Sequence, residues 1–179
     1  IYYANGETVS KIDLLPQVEL VKDKGFEILY LTEYMDEFAI QSLMEYDGKK
    51  FINVSSKDLN LNSEEDNKKL EKLNKENADL FKIMKDSLNA SVEDIRFTNR
   101  LKSHPVCLTT EGDVSVEMEK VFNAMPIDNK IKAKTILEIN SNHPIVKKLN
   151  DLYKNDKEKL EKYTKILYSQ TAKIFNGKG

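Results

Sequence analysis

The chain has 179 residues, with 28 lysines and arginines against 30 aspartates and glutamates, for a formal net charge of -2 at pH 7. Near-neutrality removes the electrostatic pull expected of a nucleic-acid or membrane-surface binder, and only Arg96 and Arg100 could offer a phosphate a bidentate fork. A hydrophobic fraction of 40% suffices for a packed core, while the lone Cys107 excludes an internal disulfide and fits a reducing compartment; no apolar run approaches membrane-spanning length.

The first residue is Ile1, not Met, which points to a piece of a longer protein. IYYA reads as a strand, followed by a turn at Asn5-Gly6. TVSKIDLLPQVELVKDKG reads as a helix with Leu14, Val18 and Val21 on one face, Pro16 in a first turn and Gly25 closing it. FEILYL is a nearly continuous apolar strand, DEFAIQSLMEY a short helix, Asp47-Gly48 a turn and KKFINVS a weaker third strand. This βαβαβ order predicts a small parallel sheet built from right-handed crossovers.

Near Ser55 the pattern changes. SSKDLNLNSEEDNKKLEKLNKENADLFKIMKDSL has no Gly or Pro, alternates acids with lysines and carries Leu70, Leu73, Leu80, Met84 and Leu88 at helical spacing. It predicts one long solvated helix with a narrow apolar seam, its first part a semi-rigid spacer at a domain boundary. SVEDIRFTNRL, HPVCLTT and IKAKTILEIN read as three further strands. From Pro144 onward helix returns, and Leu160, Tyr163, Leu167, Gln170 and Ile174 have the spacing of a bundle seam.

Between the second and third of these strands lies EGDVSVEMEKVFNAMP, where Val114, Met118, Val121, Phe122 and Met125 form one helical stripe. Fully buried, each such side chain contributes about 1.5–3 kcal/mol. The sum is comparable to the whole net stability of a domain, about 5–15 kcal/mol, which favours a core face. Two methionines favour a surface that accepts many partners. Periodicity alone leaves both readings open.

Groups suited to catalysis are sparse. There is no glycine-rich phosphate loop, and two histidines with one cysteine cannot close a zinc site without carboxylates. Cys107 with His143 as its base is conceivable, but a buried strand cysteine is the commoner case. His104-Pro105 and His143-Pro144 read as entry points to elements.

Several segments resemble a known family. IDLLPQVELVKDKGFEILYLTEYMDEFAIQSLMEYDGKKFINVS resembles the end of the middle domain of the heat shock protein 90 chaperones, in their bacterial HtpG branch. VEDIRFTNRLKSHPVCLTTEGDVSVEMEKVFNAMP and ILEINSNHPIVKKL resemble that family's carboxy-terminal domain. The resemblance implies an α/β small parallel-sheet unit (residues 1–58, the end of the middle domain), joined by a long helix to an α+β carboxy-terminal dimerisation domain (59–179). It implies a cytoplasmic, homodimeric, ATP-driven chaperone active in stress response and protein folding. ATP and magnesium belong to parts of the family that lie before Ile1, so this stretch is expected neither to bind nor to hydrolyse ATP and to hold no cofactor of its own.

Carried over residue by residue, the family's client contacts fall on Glu37 and Phe38, where the bacterial branch often has a tryptophan at the second position. They also fall on Val114, Met118, Val121 and Phe122, with Met125 adjoining, on a helix that in the family projects toward the dimer cleft. The resemblance therefore implies an exposed ridge, tolerant of partly unfolded proteins and flanked by Glu111, Asp113, Glu117, Glu119 and Lys120. DKEKLEKYTKILYSQTAKIF resembles the first of two dimerisation helices, with Leu160, Tyr163, Leu167 and Ile174 as its seam. The second is expected to lie beyond Gly179, so the seam is expected to be exposed and the chain to be a monomer, to self-associate weakly or to make a non-native contact. The alternative is a structural interaction module with one dedicated partner, which would be selective for a single folded protein; a third reading, a thiol enzyme, would require Cys107 to react rapidly.

Overall fold

A computed structural model describes residues 1–126, 128 and 130–175. Its first part runs β1 (Tyr2–Asn5), α1 (Val9–Asp13), α2 (Pro16–Asp23), β2 (Ile28–Leu31), α3 (Asp36–Leu43), β3 (Glu45–Tyr46), β4 (Lys49–Lys50) and β5 (Ile52–Asn53). Then follow α4 (Glu64–Glu76), α5 (Ala78–Ser87), β6 (Asp94–Thr98), β7 (Val106–Glu111), α6 (Val116–Ala124), β8 (Lys134–Asn140), α7 (Ile145–Asn155) and α8 (Lys157–Phe175).

β1 is the middle strand of a three-stranded parallel sheet, pairing β2 from Tyr2↔Ile28 to Asn5↔Leu31 and β5 at Tyr2↔Ile52 and Tyr3↔Asn53. This is the expected βαβαβ unit, with a core of Ala4, Ile12, Leu15, Val18, Val21, Val54 and Leu59. The helix expected over residues 8–25 is two. Thr8 caps α1 by accepting from the Lys11 amide, Leu15 is extended, and Pro16 opens α2, the one turn where a missing N–H costs nothing. Leu14, expected on the buried face with Val18 and Val21, is consequently exposed. α3 stops at Leu43, short of the expected Tyr46, and Glu45–Lys50 forms a small hairpin. Its turn, Asp47 (φ 51°) and Gly48 (φ 69°), has the double positive φ that Asp-Gly favours.

The three later strands are present as read, in the order β6-β8-β7, with β8 parallel to β6 and antiparallel to β7. On one face Ile95, Phe97, Leu108, Leu137 and Ile139 pack with α5, α7 and α8 into the larger core. The single long helix expected from Ser55 to Leu88 is corrected. Ser63 caps α4, whose Leu70 and Leu73 are only partly buried against the larger core, and after a break at Asn77 (φ -109°, ψ 14°) α5 buries Leu80, Phe81 and Met84 in it. Asn77 donates to the Leu73 carbonyl at 2.8 Å, a local bond that competes with helical continuation.

Residues 55–62 are not helical either. Ser56 and Asn60 accept from the amides two residues on, the turn chemistry of short polar side chains. Ser56 also pairs in parallel with Thr110, through Lys57 N–H to Thr110 O and Thr110 N–H to Ser55 O, both 2.8 Å. The first part of the expected spacer is therefore tied to β7, the edge strand of the second sheet, by a single β-bridge.

Beneath that segment lies a charged cluster. Glu138, at the centre of β8 and wholly buried, accepts from Arg96 Nε at 2.8 Å, and Arg100 Nε stands 2.7 Å from its other oxygen. Arg100 donates onward to the carbonyls of Ser56 (2.7 Å), Lys57 (2.8 Å) and Leu59 (3.0 Å). The two guanidinium groups are thus committed to Glu138 and to the crossing backbone. Cys107 sits beside them, its thiol pushed well above the ordinary range by burial and by the Glu138 charge. A thiol so placed is neither ionised nor accessible near neutral pH.

Candidate functional site

The sequence-selected residues on α3 and α6 do come together. Phe38 and Phe122 meet edge to face, with ring centroids 5.3 Å apart and planes at 85°. Both rings are half-buried, as are Val114 and Val121, and Met125 at the end of α6 is 45% exposed. α6 forms because Ser115 caps it, accepting from the Met118 amide at 3.1 Å, and it ends at the extended Met125 before Pro126. Only Met118, Val121 and Phe122 of the stripe are helical; Val114 precedes the cap.

Two expectations of exposure fail. Met118 is only 6% exposed, sealed on the inner side of α6, so the stripe is divided between an inward and an outward part. Glu37 is 2% exposed. Its Oε1 accepts from Tyr3 Oη at 3.2 Å and Asn53 Nδ2 at 3.0 Å, and its Oε2 accepts from Ser115 Oγ. Burial pushes the Glu37 carboxyl above its ordinary range and Glu117 adds to the rise, while Ser115, Asn53 and Tyr3 oppose it. Burial and the nearby Glu37 push the Tyr3 phenol far upward, so it stays neutral and donates. Because the folded chain holds this carboxyl above its ordinary range, the stability it contributes declines as pH rises through the window above the ordinary carboxylate value.

The helix expected to project is docked. Besides Met118 and Ser115, Asn123 exchanges hydrogen bonds with Ile131 (2.8 and 3.0 Å), and Glu119 accepts from the Ala133 amide at 2.7 Å. Of the flanking charges, Glu117 pairs with Lys120 at 2.7 Å and Glu111 pairs with Lys57. A further tie joins Gln41 Nε2 to the Asp113 carbonyl at 2.9 Å.

The outward surface is larger than the sequence reading made it. Tyr34, Met35, Leu43 and Met44, on and around α3, are all exposed. A signal was there: a helix that covers one side of a small sheet needs one apolar stripe, whereas Phe38, Ala39, Ile40, Leu43 and Met44 place apolar groups around most of α3. Beside it a cleft of about 480 Å³ opens between α3 and the loop before α6, lined by Glu37, Ile40, Met44, Phe51, Asp58 and Asp113 among others.

A model of the Hsp90 protein family matches residues 1–177. The chain belongs to the Hsp90 family. Among its relatives, "Chaperone protein HtpG" of Clostridium botulinum (strain Langeland / NCTC 10281 / Type F) is 52% identical over 174 residues, covering 97% of this chain and 28% of that protein. The proteins of the same name from Alkaliphilus oremlandii (strain OhILAs) and Bacillus subtilis (strain 168) are 52% and 49% identical over the same span. The chain thus spans 28% of the length of these curated Hsp90-family relatives.

The seam residues of α8 divide as the stripe does. Leu160 is 0% exposed and Leu167 is buried, both within the larger core of their own chain, and Tyr163 packs against that core. Thr164 and Thr171, not selected from the sequence, are buried on the same face, while Ile166 and Ile174 are exposed. The expectation that the whole seam lies open is corrected: α5, α7 and β7 of the same chain cover the Leu160–Leu167 face. No helix among the described residues is long and apolar enough to cross a membrane.

Proposed function

We propose that this chain is the client-contacting and self-associating part of an ATP-driven chaperone, with ATP and magnesium handled by other parts of the protein. The observation that carries the reading is the apolar surface running from the exposed Met35 before α3, past the half-buried Phe38 and Phe122, to the exposed Met125 after α6. A folded protein gains by covering such groups, and clustered exposed apolar groups mark an interaction site. Flexible methionines beside two aromatic rings suit ligands without fixed geometry. Within the expected contact set, Phe38, Val114, Val121, Phe122 and Met125 face the client, whereas Glu37 and Met118 support them from beneath.

A fluorescent, permanently unfolded protein (reduced and alkylated) should bind this chain in anisotropy titrations, weakly and with little dependence on which unfolded protein is used. The same proteins in their folded form should not bind. Equal affinity for the folded form, or affinity for one sequence alone, would favour the dedicated-partner alternative.

Self-association is assigned to the exposed side of α8, through Ile166 and Ile174, with the half-buried Tyr163 at its edge. Leu160→Ala should then cost about 2–5 kcal/mol of stability, as a cavity in a shared core does. Ile174→Ser should instead leave urea unfolding nearly unchanged and lower any concentration-dependent association seen by sedimentation. Association unaffected by Ile174→Ser would remove that residue from the interface.

A further inference from the structure

We infer that Glu37 and Ser115 form a buried latch that holds the two halves of the apolar surface in one arrangement. The inference rests on the reading that α3 and α6 together contact clients, and it gives Glu37 a positioning role in place of a contact. Three observations support it. The Glu37 carboxylate is 2% exposed and both its oxygens are engaged within the chain, one by Tyr3 and Asn53 and the other by Ser115. Ser115 is at once the N-cap of α6 and a donor to Glu37, so one hydroxyl links the start of α6 to the first turn of α3 across 78 residues of sequence. Immediately beside the latch, Phe38 follows Glu37 on α3, and Phe122 lies one turn after Met118, whose amide Ser115 caps, so the edge-to-face pair joins the same two helices as the latch. Among the described residues, Gln41 to Asp113 is the one other direct hydrogen bond between α3 and this loop, and it is exposed and therefore weaker.

Buried polar links of this kind specify an arrangement more than they add stability, because desolvation offsets much of the bond. A shut latch is thus expected to set the geometry of the surface while contributing little to the unfolding free energy. Groups that bear on it are Tyr3 and Asn53 from the first sheet and Glu117 from α6.

The test uses spin labels on Ser42→Cys and Ala124→Cys, exposed positions on α3 and α6, with buried Cys107 left unlabelled. Pulsed electron–electron distance measurement should give one narrow distribution in the otherwise native chain. Ser115→Asp keeps an oxygen cap for α6 but sets a second carboxylate against Glu37, so the distribution should broaden and lengthen while far-UV circular dichroism is unchanged. Adding Glu37→Gln to Ser115→Asp supplies an amide donor to the new carboxylate and should restore the narrow distribution. The same three chains titrated with the unfolded fluorescent protein should show affinity lost roughly tenfold in Ser115→Asp and regained in the pair. A narrow distribution in Ser115→Asp, or no rescue by Glu37→Gln, overturns the latch. If the native chain fails to bind the unfolded protein, the client reading fails, while the distance measurement still decides the latch.

Discussion

Glu138→Ala is expected to lower the unfolding free energy by about 3–5 kcal/mol, the largest single-residue loss in this chain. The carboxylate lies against two guanidinium groups, one at 2.8 Å and the other at 2.7 Å, at a position with no solvent access. Removing one member of a buried charge cluster leaves the others desolvated and uncompensated, which costs far more than the cluster contributes when intact. Here the damage propagates. Arg100 holds the carbonyls of Ser56, Lys57 and Leu59, so a displaced Arg100 frees the segment that is stitched to Thr110. Leu59 belongs to the smaller core, and its loss would loosen that core too. Glu138→Gln keeps the volume and one good acceptor, and should cost less, roughly 1.5–3 kcal/mol, the range for a hydrogen bond to a charged group. Urea unfolding followed by circular dichroism reads both values, and amide exchange at Lys57 and Thr110 should accelerate in Glu138→Ala. A Glu138→Ala chain within about 0.5 kcal/mol of the native one, with protection at those amides intact, would show that the segment is held by the sheet edge alone.

That cluster also marks where sequence patterning stops being informative. Along β8, Glu138 alternates with Leu137 and Ile139, which in isolation describes a strand with one wet face. The face is dry because a segment 80 residues earlier crosses it, and period-two alternation carries no record of what covers a face. The same limitation hid Glu37, whose partners Tyr3, Asn53 and Ser115 are 34, 16 and 78 residues away. Conversely, β1, β2, β6, β7 and β8 were legible because β-branched and aromatic runs between turn residues depend on local chemistry alone. The division of the long helix at Asn77 was only half legible. Leu80 and Met84 were read as a narrow seam, yet Phe81 between them widens the apolar stripe enough to require a core. The stripe from Val114 to Met125 was ambiguous for a physical reason: a docked amphipathic helix and a binding helix share one periodicity, and α6 is both, with Met118 inside and Phe122 at the rim.

This divided helix gives the second large effect, on binding. Phe38→Ser and Phe122→Ser should each weaken capture of an unfolded protein by roughly tenfold, about 1.4 kcal/mol, with the double variant falling short of the product because the two rings share one contact. The stability cost should be modest for each, of the order of the edge-to-face contact, about 0.5–1.5 kcal/mol, plus the partial burial each ring gives up. Met118→Ser should behave in the opposite sense. It exchanges a sealed thioether for a hydroxyl with no partner in view, and cavity and desolvation together should cost about 2–5 kcal/mol. Its loss of binding should track the fraction unfolded and vanish when measured well below its melting temperature. Two titrations, one thermal and one with the fluorescent unfolded protein, therefore place each residue on a plane of stability against affinity. Phe38 and Phe122 should move along the affinity axis and Met118 along the stability axis. If Phe122→Ser instead destabilises as Met118→Ser does and Phe38→Ser leaves affinity untouched, the α3–α6 surface is packing between two parts of one molecule, and clients must be held elsewhere on the chain.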